Sequence, residues 1–291
     1  MKRRSALLFM LTTSLSLSSI AQEHLPASTE ARLAMLATQQ TLTLNDVVDI
    51  SSKAQSGNRE AQYWLALIYE EGRLVPKDFA ASQVWMLKSA EQGYAPAQRG
   101  MGQIYLSKVK GKGPVRDYGE ADRWLRRAAT QGDAEAQFWL GTGYEQGWFG
   151  VTDYREAFNW LRIAARQGLP DAQFCLGQMY QDGEGLRESN TVAAHWFRRA
   201  ADHTPSYLGG VWEAKVELAN MYHDGRLPRD VVQEYMWSAI VAAYSNNPTD
   251  DEIKSLARRM TRAQLGEAKR LATDWINRHP LEPGILAQTQ R

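Results

Sequence analysis

The residues that could carry chemistry are thinly spread along the 291-residue chain. None of the histidines has a partner at metal-ligand spacing, and the neighbours His223 and Asp224 take places that are merely polar elsewhere in the chain. The single cysteine, Cys175, has no adjacent base or basic cluster to activate it, so we interpret it as a small packing residue. We therefore expect neither a bound metal nor a cofactor. The five histidines are His24, His195, His203, His223 and His279.

The sequence contains none of the usual catalytic signatures. It has no Gly-x-Ser-x-Gly elbow, no Ser-x-x-Lys pair with its accompanying motifs, no His-Glu-x-x-His and no phosphate-binding glycine loop. The enzymatic alternative is a cell-wall-active or β-lactamase-like hydrolase that uses Glu70, Glu71 or Asp182 as acid or base. That alternative requires a deep pocket with paired carboxylates. We predict no catalytic residue and a non-catalytic protein.

Residues 1–21 have the pattern of a cleavable secretory signal. A basic start at residues 2–4 precedes an apolar stretch from Ala6 to Ile20, and small residues stand at Ser19 and Ala21, where a signal peptidase needs them. No cysteine follows that could carry a lipid, and no later apolar run is long enough to span a bilayer. We expect a periplasmic protein of a Gram-negative bacterium that is not membrane-spanning.

The charge balance argues against a nucleic-acid partner. Lys and Arg number 34 against 33 Asp and Glu, and removing the three basic residues of the signal leaves 31 against 33, a net charge of −2. A protein that binds nucleic acid is expected to be more basic. The lone cysteine cannot form an intramolecular disulfide, so packing must stabilise the exported chain.

A tyrosine recurs along the chain at spacings of 36, 39, 36 and 42 residues. A glycine stands twelve residues before it, an alanine eight before, a large apolar residue four before and a small residue three before. Offsets of eight, four and zero lie on one face of an α-helix, beside a small-residue notch that a neighbouring helix can approach. The pattern predicts the first helix of a helical hairpin in each repeat. The tyrosines are Tyr69, Tyr105, Tyr144, Tyr180 and Tyr222.

A tryptophan marks the centre of a second helix in each repeat, and we expect the side chain of Trp160 in the core. Seven residues earlier stands an aspartate or serine that can cap the helix start. The pairs Asp117 with Glu120, Asp153 with Glu156 and Asp230 with Gln233 predict reciprocal capping boxes. Glycines end this helix and mark the turn between the paired helices. The tryptophans are Trp85, Trp124, Trp160, Trp196 and Trp237.

These patterns divide the chain into four segments. Residues 1–21 form the signal, 22–53 an N-terminal helical cap, 54–243 five repeats, and 244–291 a C-terminal helical cap and tail. The caps are predicted from helices at Ser28–Gln40 and Thr43–Ala54, and from capping boxes at Thr249 with Glu252 and Thr261 with Gln264. The fold class is all-α, an α-solenoid of about five stacked hairpins whose ends need polar caps.

Two segments carry a family resemblance. The runs GDAEAQFWLGTGY from Gly132 to Tyr144 and GLPDAQFCLGQMY from Gly168 to Tyr180 closely resemble the Sel-1-like repeat (SLR) family. The resemblance covers roughly residues 54–243 and weakens in the fifth unit, where Lys215 replaces a glutamine. It implies a right-handed superhelix related to tetratricopeptide arrays, acting mainly as an adaptor. One branch of the family is cysteine-rich with β-lactamase or penicillin-binding activity, and the single Cys175 departs from that branch.

If first helices line the concave face, as the resemblance implies, one stripe of residues per unit faces a partner. The stripe is rich in carboxylates, with Arg99 as its lone cation. The first-turn acids, Glu213 among them, are also explained by the helix dipole, and the aromatics either pack between units or contact the partner. We interpret the arginines of the second helices as solvated. The predicted partner-binding residues are Glu60, Tyr63, Glu70, Glu71, Arg99, Glu135, Phe138, Glu145, Asp171, Phe174, Asp182 and Asp224.

The function predicted from these features is binding of another protein. A concave acidic groove suits a basic or extended segment of a partner, which points to an adaptor or regulator of an envelope complex. The alternative within the same class is an immunity protein that neutralises a toxin delivered into the periplasm. The sequence does not choose between these two roles.

Overall fold

The computed structural model describes residues 43–72, 74–107, 116–203, 210–244 and 250–279. In these ranges the chain forms thirteen helices and no strand, so the predicted all-α class is confirmed. The helices are α1 (Leu44–Gln55), α2 (Arg59–Glu71), α3 (Phe79–Glu91), α4 (Ala95–Leu106), α5 (Tyr118–Thr130), α6 (Ala134–Glu145), α7 (Tyr154–Arg166), α8 (Pro170–Asp182), α9 (Asn190–Ala201), α10 (Gly210–His223), α11 (Val231–Tyr244), α12 (Asp250–Arg258) and α13 (Arg262–Arg278). The predicted signal, the helix at Ser28–Gln40 and the box at Thr249 lie outside the described residues.

The chain divides into two compact units, Met1–Trp160 and Leu161–Arg291. The division falls inside α7, so it does not coincide with any of the segment boundaries expected from the sequence. In the described part of each unit, the first and second helices of the first, second, fourth and fifth repeats pack against each other as hairpins. The even-numbered helices α2 to α10 are the first helices, and α3 to α11 are their second helices.

The small-residue notch of the first helix receives a side chain from the second helix of the same hairpin. A Cβ atom on Gly102 would lie 2.6 Å from Leu125 Cγ, and one on Gly177 would lie 2.5 Å from Phe197 Cε1. Leu125 and Phe197 are fully buried. The predicted close approach of two helices at this position is confirmed.

The tryptophan of the second helix is less buried than expected. Trp85, Trp160 and Trp196 are half-buried, whereas the residue after each tryptophan is buried, with Leu161 completely so. One residue corresponds to a rotation of about 100° around the helix. Trp160, which we expected in the core, is half-buried and packs against the buried cluster that contains Leu140. The buried residues that follow the tryptophans are Met86, Leu125, Leu161, Phe197 and Ser238.

Side chains cap the second helices as predicted, but the boxes do not close. Asp117 accepts from the amides of Gly119 and Glu120, and Asp153 accepts from those of Arg155 and Glu156. The reciprocal bond was wrongly predicted at Asp117 and Asp153, because the amides of these two residues already donate to the carbonyls of their repeat tyrosines. These bonds are 3.1 Å from Asp117 N to Tyr105 O and 3.0 Å from Asp153 N to Tyr144 O. The tyrosine backbone thus fixes where the second helix begins.

Glutamines tie each first helix to the helix before it. Gln62 Nε2 donates to the Ala54 carbonyl at 3.1 Å, and Gln98 Nε2 to the Ala90 carbonyl at 3.1 Å. Gln137 and Gln173 make the same bond to a carbonyl eight residues earlier. The fifth unit has Lys215 at this position, so this tie is lost there. Lys215 instead lies near the rings of Tyr244 and Trp275.

The described helical ends carry the caps expected of them. Thr43 forms a capping box with Asp46 at the start of α1, and Thr261 forms one with Gln264 at the start of α13. Trp275 of α13 is buried and packs edge-on against Trp237 of α11, with 6.1 Å between ring centroids. The fifth hairpin is therefore covered by α13, which buries apolar surface that another repeat would cover elsewhere.

Candidate functional site

The predicted site residues all lie on first helices or in the turn after them. Four of these helices begin ten residues before their tyrosines and α10 begins twelve residues before Tyr222, so the repeat sets the position of each site residue. In the first unit these positions lie on α2, α4 and α6. In the second unit they lie on α8 and in the turn after α10. We call them the acidic face of the first unit and the acidic face of the second unit.

Arg99 does not stand alone on the acidic face of the first unit. Its Nη1 lies 2.6 Å from Glu135 Oε2 and its Nε lies 3.1 Å from Asp133 Oδ2, so α4 is joined to α6 by a two-carboxylate ion pair. Burial by itself would lower the pKa of Arg99, but the charges of Glu135 and Asp133 outweigh burial and raise it. Arg99 and Glu135 are thus engaged with each other inside the array. Glu60, Glu70, Glu71 and Glu145 are half-buried.

The three aromatic residues of the predicted site pack against other rings. Phe138 is buried with its ring edge-on to Trp139, and Phe174 lies 5.5 Å from the Phe197 ring. Tyr63 is half-buried and lies 5.4 Å from the ring of Tyr94. Of the two roles left open by the sequence, their surroundings favour packing.

The acidic face of the second unit combines buried and exposed carboxylates. Asp171 is buried and accepts from the Gly210 amide at 3.0 Å, so it caps the start of α10. Burial, followed by the charge of Asp171, raises the pKa of Glu213. Asp182 and Asp224 are exposed at the ends of their first helices, and Asp224 lies 3.2 Å from Arg226. The exposed acidity of this face therefore sits at the hairpin turns.

Some arginines of the second helices are not simply solvated, contrary to our interpretation. Arg126 Nε of α5 donates to Asp122 Oδ2 at 2.9 Å. Its Nη2 donates to the Tyr144 hydroxyl, and the guanidinium lies over the Tyr144 ring. Burial and the Asp122 charge raise the pKa of Tyr144. Arg198 makes the matching 2.6 Å bond to the Tyr222 hydroxyl. The recurrence of arginine two residues after the tryptophan was the sequence signal for these inter-repeat ties.

The described residues contain no group of three or more His, Cys, Asp or Glu side chains that could hold a metal ion. His223 Nδ1 instead lies 3.3 Å from Glu234 Oε1, and Cys175 is buried and is not part of a disulfide. Glu70 and Glu71 are successive residues of α2, so their side chains do not face each other as a catalytic pair would. In the described part of the chain, no helix is both long and apolar enough to cross a bilayer.

The fold and these faces define an α-solenoid of two-helix repeats. The Sel1 repeat model matches residues 59–94, 95–133, 134–169, 170–204 and 212–233, and the chain belongs to the Sel1 repeat family. The predicted resemblance is thereby confirmed. Proteins built from Sel1 repeats are generally protein-interaction modules, and the fold is typically a non-catalytic scaffold.

Solved structures of similar fold support this assignment. A protective antigen of uropathogenic Escherichia coli strains displaying an SLR fold has a TM-score of 0.70 and 30% identity, over 86% of this chain and 52% of the antigen. This chain therefore spans about half the length of that antigen. A Sel1 repeat protein from Oxalobacter formigenes has a TM-score of 0.60 and 25% identity, over 79% of this chain and 70% of the other. None of the curated proteins compared with the chain matches it.

Proposed function

We propose that this protein is a periplasmic interaction module whose acidic faces hold a basic or extended segment of a partner protein. The observation that carries the proposal is the recurrence of a carboxylate one or two residues after the repeat tyrosine in four of the five repeats. These acids lie beside the hairpin turns, where they are half-buried or exposed. They are Glu70, Glu71, Glu145, Asp182 and Asp224.

The acids nearer the helix starts contribute less to this binding surface. Glu135 is paired with Arg99, and Asp171 caps α10, so a partner would have to compete with contacts already made. We take the acids beside the turns as the candidates for contact with a partner, because they recur at the ends of the first helices and are half-buried or exposed there. Exposed ion pairs each contribute about 0–1 kcal/mol, so affinity here would come from several contacts at once and would fall with added salt.

The proposed envelope location rests on the signal-like pattern of residues 1–21. The proposed interaction role rests on the family's general use of the fold for protein interactions. Binding a basic segment through several carboxylates requires no catalytic group. This mode of binding fits an adaptor or a regulator. A toxin recovered as the partner would assign the immunity role instead. Hydrolysis of a cell-wall fragment by the purified protein would favour the hydrolase alternative.

The test is affinity capture from periplasmic extract with the wild-type protein and the double variant Glu70→Lys/Asp182→Lys. These two residues place one reversed charge on the acidic face of each unit. We expect the variant to lose at least one partner that the wild type retains at low salt and releases at high salt. Mass spectrometry identifies the partner, and its basic segment is then measured as a peptide by titration calorimetry.

The matched control is Glu91→Lys/Glu267→Lys. It makes the same change in net charge at exposed positions of α3 and α13, away from the first-helix faces. Thermal melts of both variants establish that each is folded. Equal capture by all three proteins would remove the acidic faces as the binding site. Equal loss in both variants would mean that net charge, not this surface, controls the interaction.

A further inference from the structure

The second helices of the first unit carry an exposed basic ridge. On each helix the residue before the tryptophan and the residue three after it are four apart, so they share one face. We define the outer ridge as Val84 and Lys88 of α3 together with Arg123 and Arg127 of α5. All four side chains are exposed, Val84 to 53%.

Two of the three cations of the outer ridge lie over tryptophan rings. Lys88 Nζ lies 4.2 Å from the Trp85 ring centroid, and Arg127 Cζ lies 4.7 Å from that of Trp124. In the second unit the same positions of α9 repeat this geometry, with Arg199 Cζ 5.1 Å above Trp196. Stacking on an indole covers the apolar stem of the cation and leaves its charge toward solvent.

Nearby carboxylates leave most of this charge uncompensated. Within the described residues no carboxylate forms an ion pair with Lys88 or Arg127. Arg123 pairs with Glu120 and still has 67% of its side chain exposed. The other acid of α5, Asp122, is already bonded to Arg126. The ridge is therefore a net positive surface.

The ridges of α3 and α5 lie on neighbouring helices. Trp124 of α5 packs in the same core cluster as Met86 and Ala90 of α3. The cations stand on two different helices, and Arg123 and Arg127 are four residues apart along α5, so the charges are spread out and do not gather around one pocket. The positive charges of the ridge are spread out, and the exposed Val84 lies on the same face. Such a surface suits a partner whose negative charge is also spread out.

We propose that the outer ridge binds reversibly to the surface of an anionic lipid bilayer. The cations contact the phosphates of the headgroups while Val84 and the stems over Trp85 and Trp124 lie at the interface. This contact is peripheral. It uses second-helix residues, so the acidic first-helix residues stay available to a protein partner, and the inference does not depend on the partner-binding proposal.

The test is vesicle co-sedimentation of the protein recovered from cells that express the full chain. Vesicles contain phosphatidylcholine alone or with one third phosphatidylglycerol. We expect binding to the anionic vesicles at low salt, release at high salt and little binding to neutral vesicles. The variant Lys88→Glu/Arg127→Glu should lower the partition coefficient at least about 25-fold, since each basic residue near an anionic bilayer contributes about five-fold.

Two further variants separate surface charge from folding. Arg259→Glu/Lys269→Glu makes the same change in net charge at exposed positions near the C-terminal helix and should bind nearly as the wild type does. Lys88→Arg/Arg127→Lys keeps the charge and should retain binding. The proposal is overturned if the wild type does not bind anionic vesicles, if binding ignores salt, or if both charge-reversal variants lose it equally. Ridge-dependent capture of an acidic protein without vesicle binding would assign the ridge to that protein instead.

Discussion

Lys215 of α10 is a buried lysine whose ammonium lies between two aromatic rings. Its side chain stands where the first four repeats place a bonded glutamine, and the residue is 3% exposed. The Nζ atom lies 4.9 Å from the ring centroids of both Tyr244 and Trp275. Burial lowers the pKa of Lys215 from 10.5 to about 8. The rings stabilise the charge, but they do not replace the water that it loses.

This depressed pKa makes the stability of the fold depend on pH. The unfolded chain binds a proton at Lys215 more tightly than the folded chain does, so the free energy of unfolding rises with pH between about 8 and 10.5. The gain is about 1–3 kcal/mol over the whole window. We expect urea denaturation at pH 7.5 and 9.5 to show higher stability at the upper pH. In Lys215→Gln that increase should be absent.

Lys269→Gln is the control for this measurement, because Lys269 lies exposed on α13. This variant should keep the pH dependence of the wild type. Burial raises the pKa of Tyr244, and ionisation of tyrosine would destabilise the fold at still higher pH, so the comparison stops at pH 9.5. A Lys215→Gln protein with an unchanged pH profile would show that Lys215 is well solvated in the folded state.

The pairing of first and second helices depends on the small-residue notch. In the fourth repeat, Phe197 of α9 fills the space beside Gly177 of α8. The sequence pattern identified the notch, but it did not identify the residue of the second helix that fills it. In this repeat the structure places Phe197 in the core and leaves Trp196 half-buried.

Gly177→Ala tests this close approach. The new Cβ atom would lie 2.5 Å from the Phe197 ring, so ring or backbone must shift. We expect a loss of about 1–3 kcal/mol in the free energy of unfolding, as for overpacked cores, measured by urea denaturation. In a Phe197→Leu background the added methyl group should cost less, because the smaller side chain leaves room for it.

Gly266→Ala is the comparison for Gly177→Ala, and we expect it to stabilise the protein because the space beside Gly266 is open. Gly266 lies within α13, and a Cβ atom there would meet nothing within 4 Å. Alanine should therefore stabilise the protein by about 0.5–1 kcal/mol through its better helix propensity. If both substitutions stabilise the fold equally, the notch does not restrict helix approach.

At the scale of the molecule, the last repeat depends on the helix that covers it. Trp275 of α13 is buried, contacts the rings of Trp237 and Tyr244, and donates to Asp202 at 3.2 Å. In repeat arrays, each unit is stabilised mainly by its neighbours. The contacts of Trp275 therefore stabilise the C-terminal end of the second unit.

Trp275→Ala should weaken this end of the array locally. The truncation should cost about 3–5 kcal/mol, typical of a buried tryptophan. In hydrogen-exchange mass spectrometry we expect faster exchange in α10, α11 and α13, with α3, α4 and α5 unchanged. Tyr154→Ala is a comparison at a half-buried aromatic residue in the first unit, and it should leave exchange in α13 unchanged. Uniformly faster exchange throughout the chain in Trp275→Ala would contradict local stabilisation.

The sequence by itself determined the repeat, its helices, the notches and most of the capping residues. These features follow from periodicity and from contacts within a few residues, such as Thr261 with Gln264. They are local, so one chain segment contains all the groups involved. The acidic positions beside the turns were also set by repeat register alone.

Only the tertiary structure decided which side chains are already engaged. Arg99 meets Asp133 and Glu135 across 34 and 36 residues, and Asp171 meets Gly210 across 39. The outer ridge likewise required knowing that Arg126 turns toward Tyr144 while Arg127 stays exposed. Spacing within a helix assigns a residue to a face. The helix that packs there then determines whether its charge meets a partner side chain or solvent.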